Sequence, residues 1–145
     1  MHLLIQRVSS ASIHINETLH SQIGKGLLVF VCAEPEDTSE QARRAVAKLL
    51  KLRVFADEGG KMNRSVQDIG GALLIVSQFT LAADVWQGSR PSFTGAAPAA
   101  QGEAIYDEVV ALARRQHPIV ATGRFGADMR ISLINDGPVT IPFKV

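Results

Sequence analysis

The sequence predicts an α+β domain: a mostly antiparallel or mixed β-sheet with two main helices. Three observations predict it. Apolar and alternating runs fill the first third of the chain. Two stripes of helical period interrupt them, and the final segments return to strand-like patterns. Leu3 to Val8 is short and apolar, and Ala11, Ile13 and Ile15 alternate with Ser12 and His14, the period of a half-buried strand. Asn16-Glu17-Thr18 reads as a turn, after which Leu19, Ser21 and Ile23 continue the alternation, so a hairpin is predicted. Leu27 to Cys32 is apolar on both faces, as a central strand is. Thr38-Ser39-Glu40-Gln41 has the form of a capping box with Thr38 as N-cap, and Ala42, Ala45, Val46, Leu49 and Leu50 follow at helical spacing. Leu52 to Ala56 reads as a return strand, Asp57 to Gly60 as a turn and Lys61 to Gly71 as a loop. Ala72 to Leu81 begins as a buried strand and ends polar. Residues 84 to 101, rich in Gly, Pro, Ser and Ala, form the longest connection. Gly102 to Gln116 is the second helix, stopped by Pro118; Ile119 to Ala121, Arg130 to Ile134 and Val139 to Val145 are closing strands.

Composition bounds the function. A chain of 145 residues suits one domain, 1–145. Fifteen basic against fourteen acidic side chains argue against a protein that neutralises many phosphates along a duplex. One cysteine makes neither an intrachain disulfide nor a multi-cysteine zinc site. The apolar runs Gly26 to Ala33 and Gly71 to Val76 are too short to span a bilayer, and the first residues lack signal-peptide character. A cytoplasmic domain is therefore expected, with no membrane partner.

Nucleotide loops, metalloprotease motifs and nucleophile elbows are absent. His14 and His20 face each other across the predicted hairpin, but no third residue has ligand spacing, so no metal is expected. Cys32 reads as a small buried hydrophobe.

Two segments suggest chemistry. At Ser77-Gln78-Phe79-Thr80 a buried strand runs into polar side chains that need partners. Hydroxyls and nearby backbone N–H groups at a strand end can hold a carbonyl or position a water. Asn135-Asp136-Gly137-Pro138-Val139-Thr140 is first of all a turn. Yet Pro lowers the cost of a cis peptide to about 0.5–1 kcal/mol, and Gly admits close approach to the main chain. Such an edge can test a ligand's shape without a side chain.

With these two motifs, in this order and spacing, the chain resembles the D-aminoacyl-tRNA deacylase family, also called D-tyrosyl-tRNA deacylases. Gln6-Arg7-Val8, Gly88 to Phe93 and Gly123 to Met129 look like further landmarks of that family, so the likeness spans the chain. The resemblance implies a homodimer with its active sites at the interface and no cofactor. It implies cleavage of the ester between a D-amino acid, or glycine, and the 3′ end of tRNA. Ser77, Gln78, Phe79 and Thr80 would form the catalytic segment. A cis Gly137-Pro138 would reach into the partner's pocket as the chiral selector, with Arg7, Phe125 and Met129 as further substrate-binding positions. Two mechanisms fit: Thr80 as nucleophile, for which no His or Lys stands near in sequence, or, the favoured one, main-chain N–H groups assisted by the substrate's ribose 2′-hydroxyl. The rim departs from many relatives at Ala82 and Gln87, beside Trp86. Arg43, Arg44, Lys48, Lys51 and Arg53 read either as phosphate contacts or as a solvated helix face. The alternative function is a non-catalytic nucleic-acid-binding dimer; a general small-ester hydrolase would need the missing elbow.

Overall fold

The computed structural model describes residues 1–145. Eight strands and two helices follow one another as β1 (His2–Ile15), β2 (Thr18–Ile23), β3 (Gly26–Cys32), α1 (Ser39–Lys51), β4 (Phe55–Ala56), β5 (Met62–Arg64), β6 (Ala72–Ser77), α2 (Ala99–Gln116), β7 (Val120–Thr122) and β8 (Arg130–Lys144). A short 3₁₀ turn, Phe79–Ala82, follows β6. The main sheet runs β2-β1-β3-β6-β7, with β8 on the other side of β1. β1 is antiparallel to β2, β3 and β8, whereas β3–β6 and β6–β7 are parallel, so the sheet is mixed, as predicted.

The apolar strands β3 and β6 are buried on both faces. Leu27, Val29, Val31, Leu73 and Ile75 pack towards the helices in a cluster of 23 buried residues. Leu28, Leu74 and Val76 face the other way, joining Val8, Ala11, Ile13 and Ile23 in a smaller cluster. The sheet curls to cover that second face, and Ser21 Oγ on β2 donates to Thr122 O on β7 at 2.9 Å. Gly26 lets β3 and β6 begin in close contact, since a Cβ there would lie 2.0 Å from Ala72 O.

Local signals hold at α1 and the first hairpin. Thr38 caps α1, its hydroxyl accepting from Glu40 N while Gln41 Oε1 accepts from Thr38 N at 2.9 Å. Asn16 and Glu17 take φ of 50° and 64°, the left-handed pair of a two-residue hairpin. The charged side of α1 points to solvent, with Arg43 paired to Glu40 at 2.8 Å.

Five boundaries differ from the prediction, one of them at β8, which runs unbroken over Arg130–Lys144 where two strands and a turn were expected. The runs Leu3–Val8 and Ala11–Ile15 belong to one strand, bulged where Val8 and Ser10 pair with consecutive residues of β8. Buried positions fall at Leu3, Ile5, Val8, Ala11 and Ile13, so the alternation breaks on either side of Val8 and the sequence reads as two strands. Only Phe55 and Ala56 of the predicted return strand pair, and they do so with Met62–Arg64 out of the predicted loop. Gln78 to Leu81 leaves the strand as a 3₁₀ turn. α2 starts three residues before Gly102, where small residues mask the helical period.

The chain ends are tied together. Glu34 meets the Met1 amine at 2.8 Å, His2 at 3.2 Å and Lys144 at 2.6 Å. Burial alone would push its carboxyl up, but hydrogen bonds from Lys144 and the amine, with the charges of the amine and His2, hold it down at about 2. A depressed carboxylate stabilises the fold fully above its ordinary value of 4.5 and loses that contribution as pH falls towards about 2. Urea midpoints of Glu34→Gln should therefore change less than those of the wild type across that window; parallel curves would refute the coupling.

No helix is long and apolar enough to cross a membrane. No group of three His, Cys, Asp or Glu side chains is placed to hold a metal ion, and His14 pairs with Leu19, not His20.

Candidate active site

The first signature motif sits where a buried strand stops. Val76 is buried, Ser77 is half-buried and pairs with Val31, and Gln78 N donates to Val31 O at 2.8 Å, the last rung beside β3. The chain then tightens into the 3₁₀ turn, in which Leu81 N donates to Gln78 O and Ala83 N to Thr80 O. The amides of Phe79 and Thr80 head this turn and have no partner within it. Gln78 Nε2 donates to Thr80 Oγ1 at 2.5 Å. The Thr80 hydroxyl is thus engaged by an amide, which is not a base.

A cavity of about 560 Å³ opens beside the turn, a size that suits a small organic ligand. It brings together Ser77, Gln78, Phe79, Phe125 and Met129 from the predicted set, with Tyr106 and Phe93 added. Fourteen of its eighteen lining residues are apolar, so it holds a ligand by shape and stacking. Phe79 and Phe93 meet edge to face at 5.1 Å and remain partly exposed. Tyr106 donates to Ile75 O at 2.9 Å and leans against Phe125 at 6.2 Å.

The cavity's two titratable groups are protonated at neutral pH. Burial pushes the Cys32 thiol up, and the charges of Glu34 and Asp37 add to this. Burial and the Asp107 carboxylate push Tyr106 to about 12. Neither can take a proton from a nucleophile at neutral pH.

The second motif forms a separate structure. Asn135 pairs with Val8 and Thr140 with Gln6, so Asp136 to Val139 bulge out of β8 opposite Arg7. Asn135 clasps the bulge: its Oδ1 accepts from Val139 N at 2.8 Å, and its Nδ2 donates to Val139 O at 3.2 Å and to Thr140 Oγ1 at 2.9 Å. Arg7 braces it from beneath, donating through Nε to Asp136 O at 2.7 Å and through a terminal nitrogen to Val54 O at 2.6 Å. The Gly137-Pro138 peptide is cis, and both residues are exposed. Gly137 has no room for a side chain, because a Cβ would lie 2.6 Å from Val139 N and 2.8 Å from Val139 Cγ2.

Gly137, Pro138 and Arg7 are not among the residues lining the cavity, and neither is Thr80. The predicted site residues therefore fall into two groups within one chain. Phe93, Tyr106 and Asn135 were not predicted as site residues. Asn135 had a signal, as the residue heading the Asn-Asp-Gly-Pro turn. Phe93 and Tyr106 had none beyond aromatic character.

Comparison with known proteins agrees with the motifs. The family model described as D-Tyr-tRNA(Tyr) deacylase matches residues 4–144. A D-aminoacyl-tRNA deacylase of Azoarcus sp. (strain BH72) is 59% identical over 100% of this chain and 96% of its own. That of Variovorax paradoxus (strain S110) is 60% identical over 100% and 99%. Among solved structures, a c-Myc DNA Unwinding Element Binding Protein superposes with a TM-score of 0.95 at 38% identity, over 100% of this chain and 99% of that one. A probable eukaryotic D-amino acid tRNA deacylase shares the fold, with a TM-score of 0.85 at 20% identity over 99% and 98%. With matched motifs, a family model covering nearly every residue and full-length relatives, the chain belongs to the D-Tyr-tRNA(Tyr) deacylase family and is an enzyme of it.

Proposed function

We propose that the cavity beside Ser77–Thr80 takes the terminal nucleoside of a D-aminoacyl-tRNA, and that Gly137-Pro138 of a second copy closes the site over the amino acid. One observation carries this reading. The Gly-Pro edge is braced by Arg7 and Asn135, exposed, and outside its own chain's cavity. A backbone edge held this firmly away from its own pocket suits contact with another molecule. A homodimer supplies it twice, in line with the exposed outer positions of β8, where Ile134 is 62% accessible.

The substrate has two parts, and the two groups of residues divide them. The apolar cavity with Phe79, Phe125 and Met129 suits an adenine ring and ribose. The ester then lies at the 3₁₀ turn, where the amides of Phe79 and Thr80 stabilise the oxyanion. L and D amino acids differ only in the placement of side chain and hydrogen on Cα. Apolar contacts discriminate by on the order of 1–3 kcal/mol per group. A fixed backbone wall beside Cα instead excludes the L side chain by overlap. Glycine has no side chain to exclude, so glycyl-tRNA is cleaved too. The substrate places the enzyme in the cytoplasm.

Hydrolysis needs a proton acceptor, and this cavity supplies none. The ribose 2′-hydroxyl next to the ester is the group best placed to activate water, and an aminoacyl ester is reactive enough for modest assistance. Thr80 then positions and does not attack. Thr80→Ala is expected to keep kcat on D-tyrosyl-tRNA within about tenfold of the wild type. A complete loss of turnover with substrate binding intact would make Thr80 the nucleophile and overturn this reading.

A second reading rests on the 38%-identical structure described as a DNA-unwinding-element binding protein. The balance of fifteen basic against fourteen acidic side chains weighs against it. Steeply salt-dependent binding of duplex DNA, with no ester cleavage, would favour it.

A further inference from the structure

Trp86 is the chain's single tryptophan and its most exposed large apolar side chain, 92% accessible. A lone exposed apolar residue is ordinary by itself. The surroundings of this one give it a use. Its loop is fastened at the base: Asp84 and Ser92 exchange backbone hydrogen bonds of 2.8 and 2.9 Å, and Asp84 Oδ1 accepts from Trp86 N at 3.0 Å. The base adjoins the cavity mouth. Asp84 comes two residues after the 3₁₀ turn, and Phe93, next to Ser92, packs on Phe79 of that turn at 5.1 Å. From Val85 to Gln101 the single charged side chain is Arg90. The loop therefore offers an aromatic face and one cation beside a cavity that itself carries no charge.

We propose that Trp86 is a substrate-positioning residue. The unpaired nucleotides just before the terminal adenosine stack on its indole, and Arg90 neutralises one of their phosphates. This rests on the reading that the cavity holds the terminal nucleoside of tRNA. A tRNA 3′ end is single-stranded, so its bases are free to stack, and every base has a π-face to offer. Stacking also adds affinity without further charge, which suits a chain of net charge +1.

The sole tryptophan makes the test direct. Uncharged tRNA is titrated against the intact protein while indole fluorescence is read, with filter binding to establish saturation. Intact tRNA should quench the emission, and the same tRNA trimmed of its last three nucleotides should not. In kinetics, Trp86→Ala should raise KM for D-tyrosyl-tRNA about 5- to 100-fold. Its kcat should stay within about twofold, and Trp86→Phe should recover most of the loss. D-tyrosyl-adenosine, which lacks the upstream nucleotides, should be cleaved equally by both proteins. The proposal is overturned by an unchanged KM, by quenching with trimmed tRNA, by a loss that extends to D-tyrosyl-adenosine, or by a changed oligomeric state in Trp86→Ala. Failure of the wild type to cleave D-tyrosyl-tRNA would instead sink the enzymatic reading, and the fluorescence titration would still decide the stacking.

Discussion

Gly137→Ala is expected to lower the ratio of D- to L-tyrosyl-tRNA cleavage about 100-fold without unfolding the protein. The reason is local. A Cβ at this position meets Val139 N at 2.6 Å, Val139 Cγ2 at 2.8 Å and a terminal nitrogen of Arg7 at 3.2 Å. The first of these is backbone and cannot swing aside, so the bulge itself must move. Asn135 holds Val139 through both its N–H and its C=O, so the movement spreads along the whole edge. A displacement of about 1 Å in a group that sets geometry can cost about 100-fold in rate. Stability should suffer little, because Asp136, Gly137 and Pro138 are exposed and only Val139 of the bulge packs against the larger buried cluster. Circular dichroism melting checks this second half, and paired deacylation assays check the first. A folded Gly137→Ala protein with an unchanged ratio would show that the wall lies elsewhere.

The second large effect lies in the substrate. D-tyrosyl-tRNA ending in 2′-deoxyadenosine should be cleaved about 10²- to 10⁴-fold more slowly than the ribose form, the usual contribution of a positioned proton acceptor or donor. The cavity's own titratable groups are a thiol pushed up by burial and a phenol at about 12. Neither replaces the missing hydroxyl at neutral pH. The loss should fall on kcat, with the deoxy substrate still competing for binding, because one hydroxyl adds little to a mostly apolar contact. Undiminished turnover of the deoxy substrate would point to a base supplied by the protein, and with it to a role for Thr80 as nucleophile.

Much of this was legible in the sequence, and the missing parts have physical causes. Alternation and helical stripes located the sheet and both helices, because each element buries one repeated set of positions, such as Ala42, Val46 and Leu49 on α1. The single strand β1 looked like two because the alternation breaks on either side of Val8, and period alone cannot distinguish a bulge from a break. β5 was missed because Met62–Arg64 form an exposed ribbon with no buried face. The Ser77–Thr80 motif was found where a strand turns polar. The cavity was not, since its walls come from positions as distant as Val31 and Ile131. Arg7 was marked as a substrate-binding position through the family resemblance alone, and its bracing role was not foreseen. Its two acceptors are the carbonyls of Asp136 and Val54, and a carbonyl leaves no trace in residue type. The Gly-Pro edge and the cavity lie apart within one chain, which is why we propose that a second copy brings them together.

We propose that this fold sorts aminoacyl-tRNA esters by the handedness at Cα. Charging one tRNA separately with D- and L-tyrosine, and measuring deacylation of each by the wild-type protein under identical conditions, decides it. Rapid release of D-tyrosine with the L-ester left near its spontaneous rate is the predicted result. Equal cleavage of the two would contradict the chiral wall at Gly137-Pro138, and cleavage of neither would contradict the enzymatic reading itself.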